Sequence, residues 1–390
     1  MTDSRKNDNV PMIAKTLYGL EKVLAQELME LGASEIKAEN RVVTFSGDKK
    51  FLYKANVHLR TAGRILVPIA SFTIKDKDEY YTKIRQINWT QLFSVDQTFA
   101  IDALVNFSRV FDNSMYAGQL AKDAIVDQFR DEFDERPSVD TADPDLQINI
   151  HVNKNNITVS LDSSGAPLHK RGYRIEQSKA PLNENLAAGL LMLAGYTGDC
   201  PLVDPMCGSG TIPIEAAMIA LDIAPSLYRK RFAFMNWNNY EDDLFEEVIE
   251  EAKAKIKDSL PFPIIGSDKD KYVIQKAKNN AERMGVESFI TFEKMRFDSQ
   301  LPPKESGMLL TNPPYGERLD IEAIDSLYTM IGDSLKKNFE GYDAYIFSGN
   351  LEAVKFVGLK PSMKLKMFNG PIECRLLRYQ MYKGSKKNKN

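Results

Sequence analysis

Apolar residues recur at helical spacing over residues 19–33. Leu20, Val23, Leu24, Leu28 and Leu31 share one face there and Gly32 stands near the end, so the spacing predicts an amphipathic helix. Short β-type runs follow at 42–45, 65–74 and 99–107. A second stripe, Leu120, Ala124, Ile125 and Phe129, predicts a helix over 116–133. The plainest hairpin signal comes next: 146–152 and 157–161 alternate apolar and polar residues around Asn153-Lys154-Asn155-Asn156. These elements predict a mixed α/β region.

Between Asp162 and Lys179 the character changes. Ser163-Ser164-Gly165, Pro167, the run His169-Lys170-Arg171 and Arg174 combine turn-formers with charge, the mark of a connector. Beyond it, Pro181 precedes an apolar helix ending near Gly195. Strand-like runs at 201–203, 264–265, 290–292, 308–310 and 344–347 then alternate with helical stretches at 211–221, 270–284 and 321–337. Such alternation predicts an α/β doubly wound fold, a mostly parallel sheet whose ligands sit at the carboxyl ends of its strands.

Length and composition narrow the class. At about 150 residues per domain, 390 residues make two or three domains. Cys200, Cys207 and Cys374 include no CxxC pair, and His58, His151 and His169 lie far apart. Neither a disulfide framework nor a metal site is expected, and the cytoplasm is the expected compartment. The opening MTDSRKNDNV has no apolar signal core, and runs such as 65–70 are too short to span a bilayer, so no membrane partner is expected. The net charge of −3 argues at first against nucleic acid. It averages two opposed blocks, however: 355–390 holds ten Lys/Arg against one acid, and 241–258 holds eight acids against three lysines. The simple reading of each block is a solvated helix face or a frayed tail.

The candidate chemistry lies at predicted strand ends. Val203-Asp204-Pro205-Met206-Cys207-Gly208-Ser209-Gly210-Thr211-Ile212-Pro213 turns a buried strand into a helix. Its glycines permit a tight turn beside a ligand, and the new helix presents free N–H groups. A dinucleotide fingerprint fails because Pro213 takes the third glycine's place, and a phosphate loop fails because no lysine follows. An adenosyl-methionine loop remains, with Asp204 or its neighbours at the amino-acid moiety. Gly266-Ser267-Asp268 ends the next strand. Asp268 can accept from a ribose diol or cap a helix starting at Lys269, and both can hold at once. It follows Gly210 by 58 residues where dinucleotide folds use about 20; residues 225–261 look inserted. Asp298, after Arg296-Phe297, can accept from an adenine amine or be a surface loop residue. Leu310-Thr311-Asn312-Pro313-Pro314-Tyr315-Gly316 is the decisive motif. Two prolines remove donors and leave carbonyls as acceptors. Asn312 adds an oxygen that can hold an exocyclic amine, and Tyr315 a ring on which a base can stack.

DPMCGSGT followed by TNPPYG is similar to the amino-group methyltransferases of the S-adenosyl-methionine-dependent Rossmann-like class. LHKRGYR at 168–174, APLNE at 180–184 and IPIEAAMIA at 212–220 narrow this. They resemble the bacterial THUMP-containing ribosomal RNA guanine-N2 methyltransferases, closely over 160–347 and loosely before. The resemblance implies an N-terminal ferredoxin-like part over 1–43, a THUMP RNA-binding domain over 44–161, a connector over 162–180 and a methyltransferase domain over 181–390. Some members carry a second, C-terminal methyltransferase; with the chain ending at Asn390, that activity is expected to be absent. By the resemblance, Asp204, Pro205, Met206, Cys207, Gly208, Ser209, Gly210 and Thr211 line the methionine end of the cofactor. Asp268 and Lys269 hold its ribose and Asp298 its adenine, while Asn312, Pro313, Pro314 and Tyr315 hold the target base. Asn183 stands where the family has a basic residue. The segment His169, Lys170, Arg171 and Arg174 is either a solvated linker or a hinge on RNA phosphates. The implied reaction methylates the N2 amine of a guanine in ribosomal RNA or a ribosome-assembly intermediate. Its rivals are adenine-N6 methylation and a non-catalytic RNA-binding assembly protein; a nicotinamide dehydrogenase is disfavoured by Pro213.

Overall fold

The computed structural model describes residues 9–174, 182–314 and 321–382. The chain divides into two compact units. The first comprises Met1–Thr16, Ala25–Leu168 and Arg229–Ile249, the second Leu17–Leu24, His169–Tyr228 and Glu250–Asn390.

Up to Asp162 the elements run β1 (Val10–Thr16), α1 (Glu21–Leu31), β2 (Ser34–Glu39), β3 (Val42–Gly47), α2 (Lys49–His58), β4 (Ala62–Thr73), α3 (Lys77–Arg85), β5 (Phe99–Asn106), α4 (Ser114–Phe133), β6 (Leu146–Asn153) and β7 (Asn156–Asp162). The first unit's sheet has the order β2-β3-β1-β4-β7-β6-β5. Only its β5–β6 pairing is parallel. Alternation directs Ile148, Ile150, Val152, Val159 and Leu161 onto one face, where α3 and α4 cover them with Tyr80, Ile84, Ile125 and Phe129. α4 starts where the Asn113 side chain accepts from Tyr116 N at 2.8 Å. The hairpin register pairs Asn153 with Asn156. Its turn is therefore the two residues Lys154-Asn155, shorter than the four-residue turn that the composition suggests.

The inserted-looking stretch has a purpose in this unit. Arg229–Ile249 belongs to it. Phe234 stacks on Tyr53 at 4.6 Å, and Phe245 meets the same ring edge-on at 5.8 Å. Arg229 donates to the carbonyls of Ser164 at 2.7 Å and Ala166 at 2.6 Å. The aromatic insertion completes a core begun nearly 200 residues earlier.

The later elements are α5 (Glu184–Leu193), β8 (Leu202–Asp204), α6 (Thr211–Ala220), α7 (Asp242–Lys253), β9 (Ile264–Asp268), α8 (Lys271–Met284), β10 (Ile290–Lys294), β11 (Gly307–Thr311), α9 (Ile321–Asn338), β12 (Tyr342–Ser348), β13 (Met363–Asn369) and β14 (Ile372–Gln380). The second sheet is ordered β10-β9-β8-β11-β12-β14-β13. β10 through β12 are parallel, and β14 and β13 add antiparallel neighbours. One face is covered by Leu186, Ile214 and Ala277 of α5, α6 and α8, the other by Tyr328, Ile331 and Leu335 of α9. That is the doubly wound arrangement that the alternation of strands and helices predicts.

One expectation is corrected here. Residues 363–380, inside the basic C-terminal block, are neither a helix face nor a frayed tail. They form β13 and β14 and bury Met367, Cys374, Leu376, Leu377 and Tyr379. The apolar helix after the connector starts at Glu184, with Asn183 as its N-cap accepting from Asn185 N at 2.9 Å and Leu186 N at 3.3 Å. A short polar side chain suits that position. Pro181 lies outside the described residues.

Candidate active site

Strand register in the second unit sets the site. β8 and β11 are neighbours, with Leu309 paired to Val203. Their carboxyl ends therefore bring Asp204 beside Leu310, Thr311 and Asn312. Asp204 is 1% exposed, and no cation pairs with it among the described residues. Burial pushes its carboxyl up to about 7; the Thr311 hydroxyl and the Met206 N–H, at 3.2 Å, oppose that shift, and the charge of Asp268 adds to it.

From Asp204 the chain loops into α6, and three ties fix the loop. Cys207 N donates to Ser267 O at 2.9 Å, Gly208 N to Asp268 Oδ2 at 3.3 Å, and Asn280 Nδ2 to Ser209 O at 3.0 Å. The two glycines do different work. Gly210, at φ +84, is packed so closely that a Cβ would lie 3.0 Å from Ala277 Cβ and 3.1 Å from the Phe292 ring. Gly208, at φ +56, has nothing within 4 Å of that point. One glycine lets α6 dock on α8 and β10, and the other leaves room above the loop. Pro205 and Met206 form the turn between Asp204 and Cys207.

Asp268 ends β9 and faces this loop. Its second oxygen accepts from Asp270 N at 3.0 Å. The helix cap is Asp270, accepting from Tyr272 N at 2.8 Å, and α8 begins at Lys271. The expected cap at Asp268 before Lys269 is thus replaced by one two residues later, and Lys269 is exposed. Asp298 is occupied differently. Arg296 holds its carboxylate at 2.7 to 3.2 Å and keeps it below the usual carboxylate range. Asn338 of α9 donates to its carbonyl at 3.4 Å. Among the described residues no hydrogen bond ties it to Asp204, Asp268 or Asn312.

Asn312 follows β11 directly. Its Oδ1 is buried and has no hydrogen-bond partner among the described residues. A buried acceptor left without a donor is unfavourable by about 1–3 kcal/mol unless something else supplies one. Pro313 behind it is buried and Pro314 partly so. Tyr315 lies outside the described residues.

The connector cations turn inward. Arg171 is 6% exposed and its Nε lies 3.5 Å from Glu215 Oε1, which also accepts from Tyr173 OH at 3.2 Å. Arg174 donates to Thr211 Oγ1 at 2.7 Å and pairs with Glu184 at 3.4 Å. The expected basic hinge is therefore corrected for these two: their guanidinium groups brace α5 and α6. Lys170 is exposed and His169 partly exposed. The sequence carried a signal for this brace, a single glutamate in the apolar run IPIEAAMIA, since a buried charge requires a partner.

A model of the RMKL-like methyltransferase domain matches residues 171–378. The chain belongs to the RMKL-like methyltransferase family. An RlmL ferredoxin-like domain matches 11–66 of this RMKL-like methyltransferase, and a THUMP domain matches 75–162. The chain is 41% identical over 373 residues to a Synechocystis sp. protein provisionally described as an RNA methyltransferase, covering 95% of this chain and 97% of that one. It is 39% identical over 383 residues to the ribosomal RNA large subunit methyltransferase K/L of Syntrophotalea carbinolica, covering 95% of this chain but 54% of that protein. The chain thus spans about half the length of that relative. The crystal structure of SMU.472, provisionally described as a methyltransferase and complexed with SAH, superposes with a TM-score of 0.86 at 30% identity, over 97% of this chain and 99% of that one.

The cofactor of this RMKL-like methyltransferase is S-adenosyl-methionine. Its residues fit that group: open space stands at Gly208, Asp268 accepts from Gly208 N, and Asp204 and the orphaned oxygen of Asn312 lie at the carboxyl ends of the neighbouring strands β8 and β11. Among the described residues, no helix is long and apolar enough to cross a membrane, and no group of three or more His, Cys, Asp or Glu could hold a metal ion.

Proposed function

We propose that this chain methylates the N2 amine of a guanine in large-subunit ribosomal RNA, in the cytoplasm, on naked RNA or an assembly intermediate. The observation that carries the reading is the buried, unpartnered Oδ1 of Asn312 at the end of β11. An exocyclic amine supplies the donor that this oxygen lacks. The carbonyl of Pro313 takes the second hydrogen, and Tyr315 stacks on the base. The THUMP domain and the ribosomal activity of the Syntrophotalea relative support RNA as the substrate.

Bound S-adenosyl-methionine supplies a methyl group on a sulfonium that is already a good leaving group. What remains for the chain is alignment. Asp204 and the loop through Thr211 hold the methionine end, and Asp268 holds the ribose diol. Asn312 and Pro313 favour the pyramidal nitrogen of the transition state over the planar amine of the free base. The base reaches them by leaving its stack, which costs a few kcal/mol and less in a loop. Asp298 is kept for the adenine amine: Arg296 holds its carboxylate at 2.7 Å, and an ionised carboxylate has further acceptor sites. The first unit, with its THUMP domain, grips the RNA.

The test is methyl transfer from labelled cofactor to a large-subunit ribosomal RNA transcript, followed by digestion to nucleosides. N2-methylguanosine is the expected product. N6-methyladenosine would move the reading to adenine, and no transfer together with no saturable binding of S-adenosyl-homocysteine would leave a non-catalytic RNA-binding protein.

A further inference from the structure

β13 and β14 close one side of the second unit's sheet, and their cations are placed unevenly. β14 runs antiparallel to β12, with Ser348 opposite Arg375 and Asp343 opposite Gln380. The turn between Asn369 and Ile372 therefore lies at the edge of the sheet where the parallel strands end, the edge that carries Asp204 and Asn312. Toward the opposite edge, Arg378 is neutralised by Asp343 through hydrogen bonds of 3.1 and 2.9 Å. Toward the turn edge, Lys366 stands directly across from Arg375, and the single carboxylate of Glu373 serves both. Lys364 is exposed and has no ion pair among the described residues.

Like charges directly opposite one another weaken a sheet, so the fold gains nothing from Lys366 beside Arg375. Lysines on an outer strand do deter edge-to-edge pairing. That accounts for Lys364 and Lys366 on β13, but not for Arg375 on the inner strand β14. Aromatic rings lie among the cations: the Lys366 ammonium is 5.3 Å from the Phe368 ring centroid, and Tyr18 meets that ring edge-on at 5.4 Å. Exposed ion pairs are weak, so phosphate groups can compete with Glu373 for both cations.

We infer that Lys364, Lys366 and Arg375, with Tyr18 and Phe368 beside them, form an RNA-binding strip that holds the phosphates of the strand whose base enters the site. The inference rests on the proposed RNA substrate and adds where the second unit grips it. Cations spaced along a strand match a polyanion, and the rings offer faces to unpaired bases.

The test uses the full chain and a large-subunit ribosomal RNA transcript, with binding measured across a salt series. The double variant Lys366→Gln/Arg375→Gln is expected to weaken binding about tenfold and to flatten the salt dependence by about 0.7–0.9 for each phosphate no longer neutralised. Affinity for S-adenosyl-homocysteine and the melting temperature stay unchanged. Glu373→Gln, which frees both cations, tightens RNA binding. Unchanged affinity and salt slope in the double variant overturn the strip, as does new self-association with RNA binding intact, which assigns the residues to guarding the edge. If the unaltered chain shows no salt-dependent RNA binding, the RNA reading itself fails along with the strip.

Discussion

Two groups of buried polar side chains in the second unit differ in one respect. Behind α6, Arg171 pairs with Glu215 and Arg174 pairs with Glu184, so each charge has its opposite. At the ends of β8 and β11, Asp204 is buried with no cation and Asn312 Oδ1 with no donor among the described residues. Among the described residues, the first group pairs every charge with its opposite, although Arg174 Nε and Glu215 Oε2 have no hydrogen-bond partner; the second holds a buried acid with no cation at all. A scaffold pairs its buried charges; the strand ends of β8 and β11 leave one without an opposite.

Breaking the paired group should have the largest effect on stability. Arg171→Met leaves Glu215 buried and unpaired and is expected to cost about 3–5 kcal/mol. Thermal melting measures this, and Arg171→Met/Glu215→Leu should recover most of the loss. Recovery failing in the double variant would show that packing, not charge, is what the brace supplies.

The acid without a cation should make stability depend on pH. Unfolded, Asp204 titrates near its ordinary 3.8; folded, burial holds it at about 7. Between those values the folded chain keeps a proton that the unfolded chain has lost, so stability falls as pH rises from about 4 to 7 and is level beyond. Asp204→Asn should remove that slope, worth up to about 4 kcal/mol across the window. Chemical denaturation across the window from about pH 4 to 7 and above it checks this. A slope that persists in the variant would place the titration elsewhere.

The two glycines give the smallest and most selective contrast. Gly210→Ala pushes a methyl group into Ala277 and Phe292 and should lower stability by about 1–3 kcal/mol. Gly208→Ala meets only the strain of its positive φ, about 1 kcal/mol, yet its methyl group enters the space assigned to the cofactor. It should therefore weaken S-adenosyl-homocysteine binding far more than it lowers the melting temperature. Equal affinity in Gly208→Ala and the unaltered chain would remove that space from the binding site.

Much of this was legible in the sequence where a local rule acts alone. The alternation of 146–161 gave both hairpin strands, and the strand–loop–helix order placed Asp204, Asp268 and Asn312 at strand ends. What was hidden depended on distant parts of the chain. β1 reads as a short polar-flanked run, and pairing with β3 and β4 makes it a strand. β13 alternates Met363-Lys364-Leu365-Lys366-Met367, but the surrounding lysines gave it the look of a tail. Arg171 and Arg174 read as a solvated linker or a hinge on RNA phosphates because only the fold brings Glu215 and Glu184 to them. Asp298 could be placed after a strand, yet the grip of Arg296, two residues away, is a matter of side-chain geometry.

Asn312 is assigned to the target base rather than to the cofactor or the fold. Its most direct test is Asn312→Ala, with cofactor affinity measured by calorimetry and turnover by methyl transfer to ribosomal RNA. Affinity for S-adenosyl-homocysteine should stay within about twofold while transfer drops by at least about 100-fold, the scale of removing one preorganised polar group from a transition state. Full turnover in Asn312→Ala would contradict the account.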